Sequence, residues 1–176
     1  GVSTKPANFS DYPPYLLTSS TAAEATDKLI TNGWGNTGFL IPYESYSNNT
    51  SVFYNFQRAP SFMDVVCYSG TNAAQYVNHN LGTSPQLMFF KARNASGTWL
   101  TYSATTGTNA YLRLETSDAS TSTGGFQLFG TSSTQFYIYN GFSSSTNTYV
   151  VYLFASCPGV SKVGSYSGTG ATQTIS

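Results

Sequence analysis

Thr148-Tyr149-Val150-Val151-Tyr152-Leu153-Phe154 carries β-branched and aromatic side chains with no glycine or proline, which is the composition of a β-strand. Ninety-eight positions earlier stands Thr50-Ser51-Val52-Phe53-Tyr54-Asn55-Phe56, which keeps Thr, Val, Tyr and Phe at matching places. The same offset takes Pro60, Val65, Tyr68, Ser69, Gly70 and Thr71 to Pro158, Val163, Tyr166, Ser167, Gly168 and Thr169. Backwards it takes Leu16, Thr18 and Ser19 to Leu114, Thr116 and Ser117. Residues 1–78 therefore lie on 99–176 without a gap, as a tandem repeat would.

If a unit begins at Tyr-Ser-Gly-Thr, residues 68–165 form one complete unit. Residues 1–67 are then the tail of an upstream unit, and 166–176 the opening strand of a downstream one. The upstream copy has departed from the pattern: Asn55 replaces Leu153, and Arg58-Ala59-Pro60 replaces Ser156-Cys157-Pro158. Pro13-Pro14 falls opposite Tyr111-Leu112 and removes two ladder donors, so that stretch belongs on an edge or an extended arm. A sandwich that lacks its opening strand exposes a hydrogen-bonding edge. Tyr166, Thr172, Thr174 and Ile175 lie in the segment that would fill it, either in the 1–67 fragment of the same chain or in that of a neighbour.

With 40% hydrophobic and 16% aromatic residues in 176, the chain has enough apolar surface for a sandwich-sized core. Charged residues make up only 8%, seven basic against seven acidic, so binding that neutralises phosphates or anionic lipid is disfavoured. Nucleic acid is a poor partner on this ground. Membrane insertion is equally disfavoured, since no stretch approaches about 20 apolar residues. Ser and Thr fill 49 positions, a polar but uncharged surface of the kind common on extracellular and particle-borne β proteins. Cys67 and Cys157 do not occupy equivalent repeat positions; they are compatible with a disulfide or with two free thiols.

Further strands are expected at 51–56, 86–92, 99–102, 111–114, 125–129, 135–139, 163–166 and 173–175. Asn94-Ala95-Ser96-Gly97 reads as a four- or five-residue hairpin loop with Gly97 available for positive φ. Strands at such spacing, without amphipathic helices between them, predict an all-β antiparallel sandwich. The one short helix compatible with the sequence is Ala22 to Leu29, where Thr21 and Glu24 have the spacing of a capping box.

Tyr68-Ser69-Gly70-Thr71-Asn72, Val77-Asn78-His79-Asn80-Leu81-Gly82 and Pro85-Gln86-Leu87-Met88-Phe89-Phe90-Lys91 resemble a tandem β-rich domain of tailed-bacteriophage structural proteins, of the marine and cyanobacterial phage type. The resemblance continues through Trp99-Leu100-Thr101-Tyr102 and from Tyr149 to Gly170, and is weak before residue 48. It implies a concanavalin- or lectin-like jelly roll. It also implies a non-enzymatic virion protein on a tail fibre, appendage or capsid surface, with itself or other virion proteins as partners and host attachment as a role. The alternative is a secreted bacterial carbohydrate-binding or adhesion module.

His79 precedes a turn in His79-Asn80-Leu81-Gly82, where bonding to nearby backbone accounts for it better than general-base chemistry. Asp64, Glu115 and Asp118 stand singly, and no nucleophile elbow, metal cluster or phosphate loop is present, so no catalytic residue, metal or cofactor is expected. A host-surface glycan is the ligand that best suits the composition, because sugars match an aromatic face beside amide and hydroxyl groups. The candidate contacts are Trp34, in the glycine-flanked loop Asn32-Gly33-Trp34-Gly35-Asn36, with Asn36, Tyr43, Tyr46, Asn48 and Asn49. Trp99 is expected in the core. Sequons at Asn8, Asn48, Asn49 and Asn94 are expected to be unmodified. Multivalent retention by weak sites suits a homo-oligomer at a virion surface or in the extracellular space.

Overall fold

The computed structural model describes residues 14–26, the backbone of 33–35 and 38–40, residue 52, and residues 54–125 and 127–175. Its strands are β1 (Pro14–Tyr15), β2 (Ala25–Thr26), β3 (Gly33–Gly35), β4 (Gly38–Leu40), β5 (Met63–Ser69), β6 (Gln75–Asn78) and β7 (Leu87–Ala92). They continue as β8 (Leu100–Ser103), β9 (Ala110–Arg113), β10 (Thr121–Ser122), β11 (Phe129–Thr131), β12 (Gln135–Ile138) and β13 (Thr148–Phe154). All pairings between them are antiparallel. A six-stranded sheet in the order β10-β9-β8-β7-β13-β5 faces a three-stranded sheet in the order β11-β12-β6, and β1-β2 and β3-β4 are separate two-stranded ribbons.

The decisive strand is central because its side chains suit both of its faces. On β13, Val151 and Leu153 enter the core with Met88, Phe90, Leu100 and Tyr102 of the same sheet, against Phe129, Phe136 and Ile138 of the other. Phe90 stacks on Phe129 at 5.2 Å and meets Phe136 edge-on at 5.5 Å, geometries that aromatic quadrupoles favour. The alternate residues Val150, Tyr152 and Phe154 point to the opposite, outer face. There Tyr152 stacks on Trp99 at 6.3 Å, and Phe154 meets both Phe89 and Phe56 edge-on.

Residues 17–24 cross this outer face as a strap. Its carbonyls do the fastening: Trp99 Nε1 donates to Leu17 O and Ser20 O, Gly97 N to Thr21 O, and Lys91 Nζ to Thr21 O at 3.1 Å. Lys91 also donates to Ala92 O and Ala95 O and is only 1% exposed, so its ammonium is a buried cation satisfied by three carbonyls. Burial pushes its pKa down. Glu24 grips Arg93 through two bonds of 2.7 and 2.9 Å.

These bonds overturn the expected helix at Ala22. Residues 21–24 are irregular and Ala25–Thr26 is strand β2; residues 27–29 lie outside the described set. Glu24 gives its carboxylate to Arg93 instead of the Thr21 amide, so the capping box loses to a bidentate ion pair across the strap. Gly97 also departs from expectation. It is not among the residues with positive φ, and its amide is used to hold the strap. Residues 163–166 and 173–175 are not strands, and neither are Val52 and 54–56, because a strand requires a partner and none of these segments has one among the described residues. The strand expected at 125–129 starts only at Phe129. Trp34 sits on β3, paired with Phe39 of β4, and not in a loop. Cys67 and Cys157 are free thiols.

Candidate functional site

The 98-residue offset is visible as geometry. Ala59 N donates to Met63 O and Cys157 N to Ser161 O, both at 2.9 Å, and each pair forms an isolated antiparallel bridge. Within these turns the matching residues Ser61 and Gly159 both have left-handed backbones, φ 62° and 75°. The two Tyr-Ser-Gly-Thr segments also fold alike. Thr71 Oγ1 donates to Ala73 O and Gln75 Nε2 to Ser69 O; Thr169 Oγ1 donates to Ala171 O and Gln173 Nε2 to Ser167 O. Asn72 and Gly170 are both left-handed, at φ 58° and 75°.

The surroundings of the two copies differ. Between the first pair of turns runs β5, bonded along its length to β13, from Thr148↔Ser69 to Phe154↔Met63. A phase that starts units at Tyr68 cuts this strand in two. Between the second pair runs 161–167, which joins no sheet. Tyr68 stacks on Tyr149 at 5.1 Å and meets Phe136 edge-on, whereas Tyr166 is 70% exposed. Burial, then the neighbouring Tyr149, raises the Tyr68 pKa well above the tyrosine range, and its hydroxyl is buried without a hydrogen-bond partner. Thr172, Thr174 and Ile175 are exposed as well. So are Val52, Tyr54 and Phe56, at 73%, 80% and 58%, although their equivalents Val150, Tyr152 and Phe154 lie on the covered outer face of β13.

At one end of the sandwich a cavity of about 290 Å³ opens between the loop after β7 and the loop before β13. Phe90, Leu100, Ile138 and Phe142 floor it; Ser96, Thr98, Ser144 and Asn147 supply polar groups at its walls, beside Tyr149. The Tyr149 hydroxyl accepts from Ser144 N at 3.0 Å, which fixes the rim. An apolar floor with hydroxyl and amide walls offers a neutral, hydroxylated ligand a face to lie on and partners for its polar edge. Asn94, the sequon nearest the cavity in sequence, donates its amide to Thr146 O and accepts from Thr148 N, so its side chain ties the two loops together.

The titratable residues are committed elsewhere. Asp64 is buried, accepting from Arg58 Nε and Val65 N on one oxygen and from Asn80 N at 2.7 Å on the other. Burial pushes its carboxyl up, but these bonds together outweigh burial and leave it below the ordinary carboxylate value. His79 is buried as well. Its Nδ1 accepts from Leu81 N, which places the proton on Nε2, where it is donated to Ser132 O at 3.2 Å. Burial lowers its pKa against the opposing influence of Ser132 and Asp64. Both ring nitrogens are thus spent on backbone. Among the described residues no group of three or more His, Cys, Asp and Glu could hold a metal ion.

Of the glycan candidates, only the backbone of Trp34 is described, and Asn36, Tyr43, Tyr46, Asn48 and Asn49 lie outside the described residues. Trp99 is buried as expected, but beneath the strap on the outer face of the large sheet and not in the core between the sheets. The cavity residues were missed because Ser96, Thr98, Ser144 and Asn147 sit in Ser/Thr-rich loops that carry no distinguishing motif.

Fold and site together define an antiparallel β-sandwich module, with stretches that resemble its β13 and β5 in sequence standing 98 positions before and after them. Residues 47–175 match the profile described as Domain of unknown function (DUF7483), and the chain belongs to that family. Neither the curated proteins nor the solved structures contain a match.

Proposed function

We propose that this protein is a non-enzymatic structural module of a bacteriophage virion, exposed on a tail fibre, appendage or capsid surface, that self-associates and attaches to host glycan. One observation carries the reading: the two turns that flank β5 recur with the same hydrogen bonds on either side of 161–167, but that segment joins no sheet among the described residues. A module that presents its own strands on both flanks is suited to building arrays, and arrays on a particle turn weak sugar contacts into firm retention. The likeness to phage repeat domains, including their lectin-like jelly roll, supplies the particle. The test has two arms. Antibody raised against the protein should decorate purified phage particles in electron micrographs. Native mass measurement should give oligomers that revert to monomer when the chain is truncated after Val163. Unlabelled particles and a monomeric full chain would refute the reading.

The second reading, a secreted bacterial carbohydrate-binding or adhesion module, is favoured by the cavity bordered by Ser96, Thr98, Ser144 and Asn147. It requires a defined soluble glycan to bind the monomer, with Asn147→Ala weakening binding about tenfold in titration calorimetry, the loss of one or two hydrogen bonds. Unlabelled particles together with such binding would select it.

A further inference from the structure

We propose that the outer face of the three-stranded sheet is a glycan platform, which takes a soluble, neutral polysaccharide chain across Tyr76 and Tyr137. The inference rests on the glycan-attachment reading and gives it a surface and a ligand class.

Alternation along the strands sets the face. On β12 Phe136 and Ile138 enter the core, so Gln135 and Tyr137 point outward; on β6 Val77 packs against the core, so Tyr76 and Asn78 point outward. The register places Tyr137 opposite Tyr76 and, on its other side, opposite Gly130 of β11. Three neighbouring strands thus carry one row, Gly130-Tyr137-Tyr76, with Gln135 opposite Asn78 in the row beside it.

Three observations favour a sugar chain on this row. The first is the exposure of a paired aromatic surface. Trp99, on the outer face of the large sheet, is covered by the strap, but Tyr76 is 70% exposed, and its ring lies 5.3 Å from that of Tyr137. A single exposed aromatic needs no explanation, whereas a pair rimmed by polar groups has the composition of a binding surface. Pyranose rings present apolar C–H faces that lie on such rings.

The second is that amides are held at the border of the rings. Gln135 Nε2 donates to Asn78 Oδ1 at 2.8 Å, which ties both side chains beside the tyrosines. At the end of the row Gln127 Nε2 donates to Phe129 O at 2.8 Å. A Cβ on Gly130 would stand 2.9 Å from that nitrogen and 3.1 Å from Tyr137 Cβ, so glycine is what lets the Gln127 amide lie next to Tyr137. Each of these bonds uses one of an amide's several donor and acceptor sites and leaves others to pair with sugar hydroxyls.

The third is charge. The strands Phe129–Thr131, Gln135–Ile138 and Gln75–Asn78 contain no Asp, Glu, Lys, Arg or His. The platform therefore complements a neutral chain and offers no counter-charge to an anionic one. Its shape narrows the class further. The two rings are tilted by 56°, so sugar units lying on both must turn relative to each other along the chain. A twisted chain in solution meets that demand, and the flat surface of a crystalline polysaccharide does not. None of the six residues lines the cavity beside Tyr149, so the two sites can be separated by substitution.

The experiment is affinity electrophoresis of the full chain through gels containing hydroxyethylcellulose, galactomannan, laminarin or dextran, four soluble neutral polysaccharides. Retardation by at least one is expected, together with no sedimentation of the protein with crystalline cellulose. Tyr76→Ala and Tyr137→Ala should each weaken the retardation about tenfold, the loss of an aromatic contact at the centre of a site. Tyr76→Phe, which keeps the ring, should retain most of it, and Asn147→Ala in the cavity should leave it unchanged. The urea midpoint of Tyr76→Ala should match that of the unaltered protein, which separates lost binding from lost fold. Retardation that survives Tyr76→Ala and disappears with Asn147→Ala would overturn the platform and leave glycan attachment standing, in the cavity. Retardation by none of the four would overturn both. If Tyr76→Ala instead converts oligomers to monomer in native mass measurement and no polysaccharide retards the chain, the face is a contact between copies and the glycan platform is ruled out. Sedimentation with crystalline cellulose that Tyr76→Ala abolishes would overturn the twisted-chain ligand class.

Discussion

The chain contains two similar stretches of sequence 98 positions apart, and only one of the two becomes part of a sheet. Met63–Ser69 is β5 because β13 lies beside it; Ser161–Ser167 keeps the turns at both ends, down to the left-handed residues, and joins no sheet among the described residues. Turn geometry is thus locally encoded, by Gly, Asn, Thr and Gln bonding within a few residues. Strand identity is supplied from outside, by the neighbour whose amides and carbonyls complete the ladder. The comparison also shows which face of β13 has been kept. Val52, Tyr54 and Phe56 preserve the outer-face residues, while Asn55 replaces the core residue Leu153.

The largest effects should come from substituting equivalent positions in the paired and unpaired copies. Leu153→Ala is expected to cost about 2–5 kcal/mol, since the side chain is fully buried and the cavity it leaves cannot collapse between packed sheets. Asn55→Ala, at the exposed equivalent, should stay within about 0.5 kcal/mol. Gly70→Ala forces the 143–144 backbone to move and should cost about 3 kcal/mol, whereas Gly168→Ala should be neutral in the isolated chain. Urea denaturation reads all four. A Gly168→Ala loss as large as that of Gly70→Ala would mean that the second turn is packed within the chain, and the comparison would collapse.

A smaller effect is expected at the strap, where the offset again separates two fates: 112–124 contributes the end of β9 and all of β10 to the large sheet, while 17–24, within the equivalent 14–26, crosses that sheet's outer face. Lys91→Met keeps the volume of the stem but leaves the carbonyls of Thr21, Ala92 and Ala95 without their donor, at a cost of about 1–3 kcal/mol. Limited proteolysis should then cut faster within 17–24 than in the unaltered protein. An unchanged cutting rate would show that Trp99 and the Glu24–Arg93 pair hold the strap without Lys91.

Legibility followed the same division between local and borrowed structure. β7, β8, β12 and β13 could be read because their β-branched and aromatic residues sit where one face is buried. β5 could not: Met63-Asp64-Val65-Val66-Cys67-Tyr68-Ser69 carries a buried carboxylate that only Arg58 and the Asn80 and Val65 amides make tolerable. β6 is a polar edge strand, and its Val77 alone packs against the core. Thr21 and Glu24 formed a sound local signal that tertiary bonds overrode, and 163–166 read as a strand because propensity says nothing about the presence of a partner. The buried status of Trp99 and the backbone bonding of His79 were legible from their settings. The cavity was not, since it is made by two loops brought together by Asn94.

The smallest effect should be the dependence of stability on pH, which separates the loop around Asp64 and His79 from its offset position, where Lys162 replaces Asp64. His79 has a native pKa below its ordinary value of 6.5, so as pH falls through 6.5 the unfolded chain takes up a proton before the folded one does. Stability is therefore full above that value and declines beneath it. Asp64 is likewise held below its ordinary 3.8, and a second decline is expected as pH falls from there toward the native value. His79→Gln should remove the first decline and spare the second. Asp64→Asn should remove the second and deepen the first, because the carboxylate that favours the protonated imidazole is gone while burial still opposes it. Urea midpoints measured from pH 8 to pH 3 would distinguish the two steps. A single decline unaffected by His79→Gln would show that the imidazole does not lose its proton on folding, and that the Leu81–His79–Ser132 bonding is not what sets the acid limb of this loop.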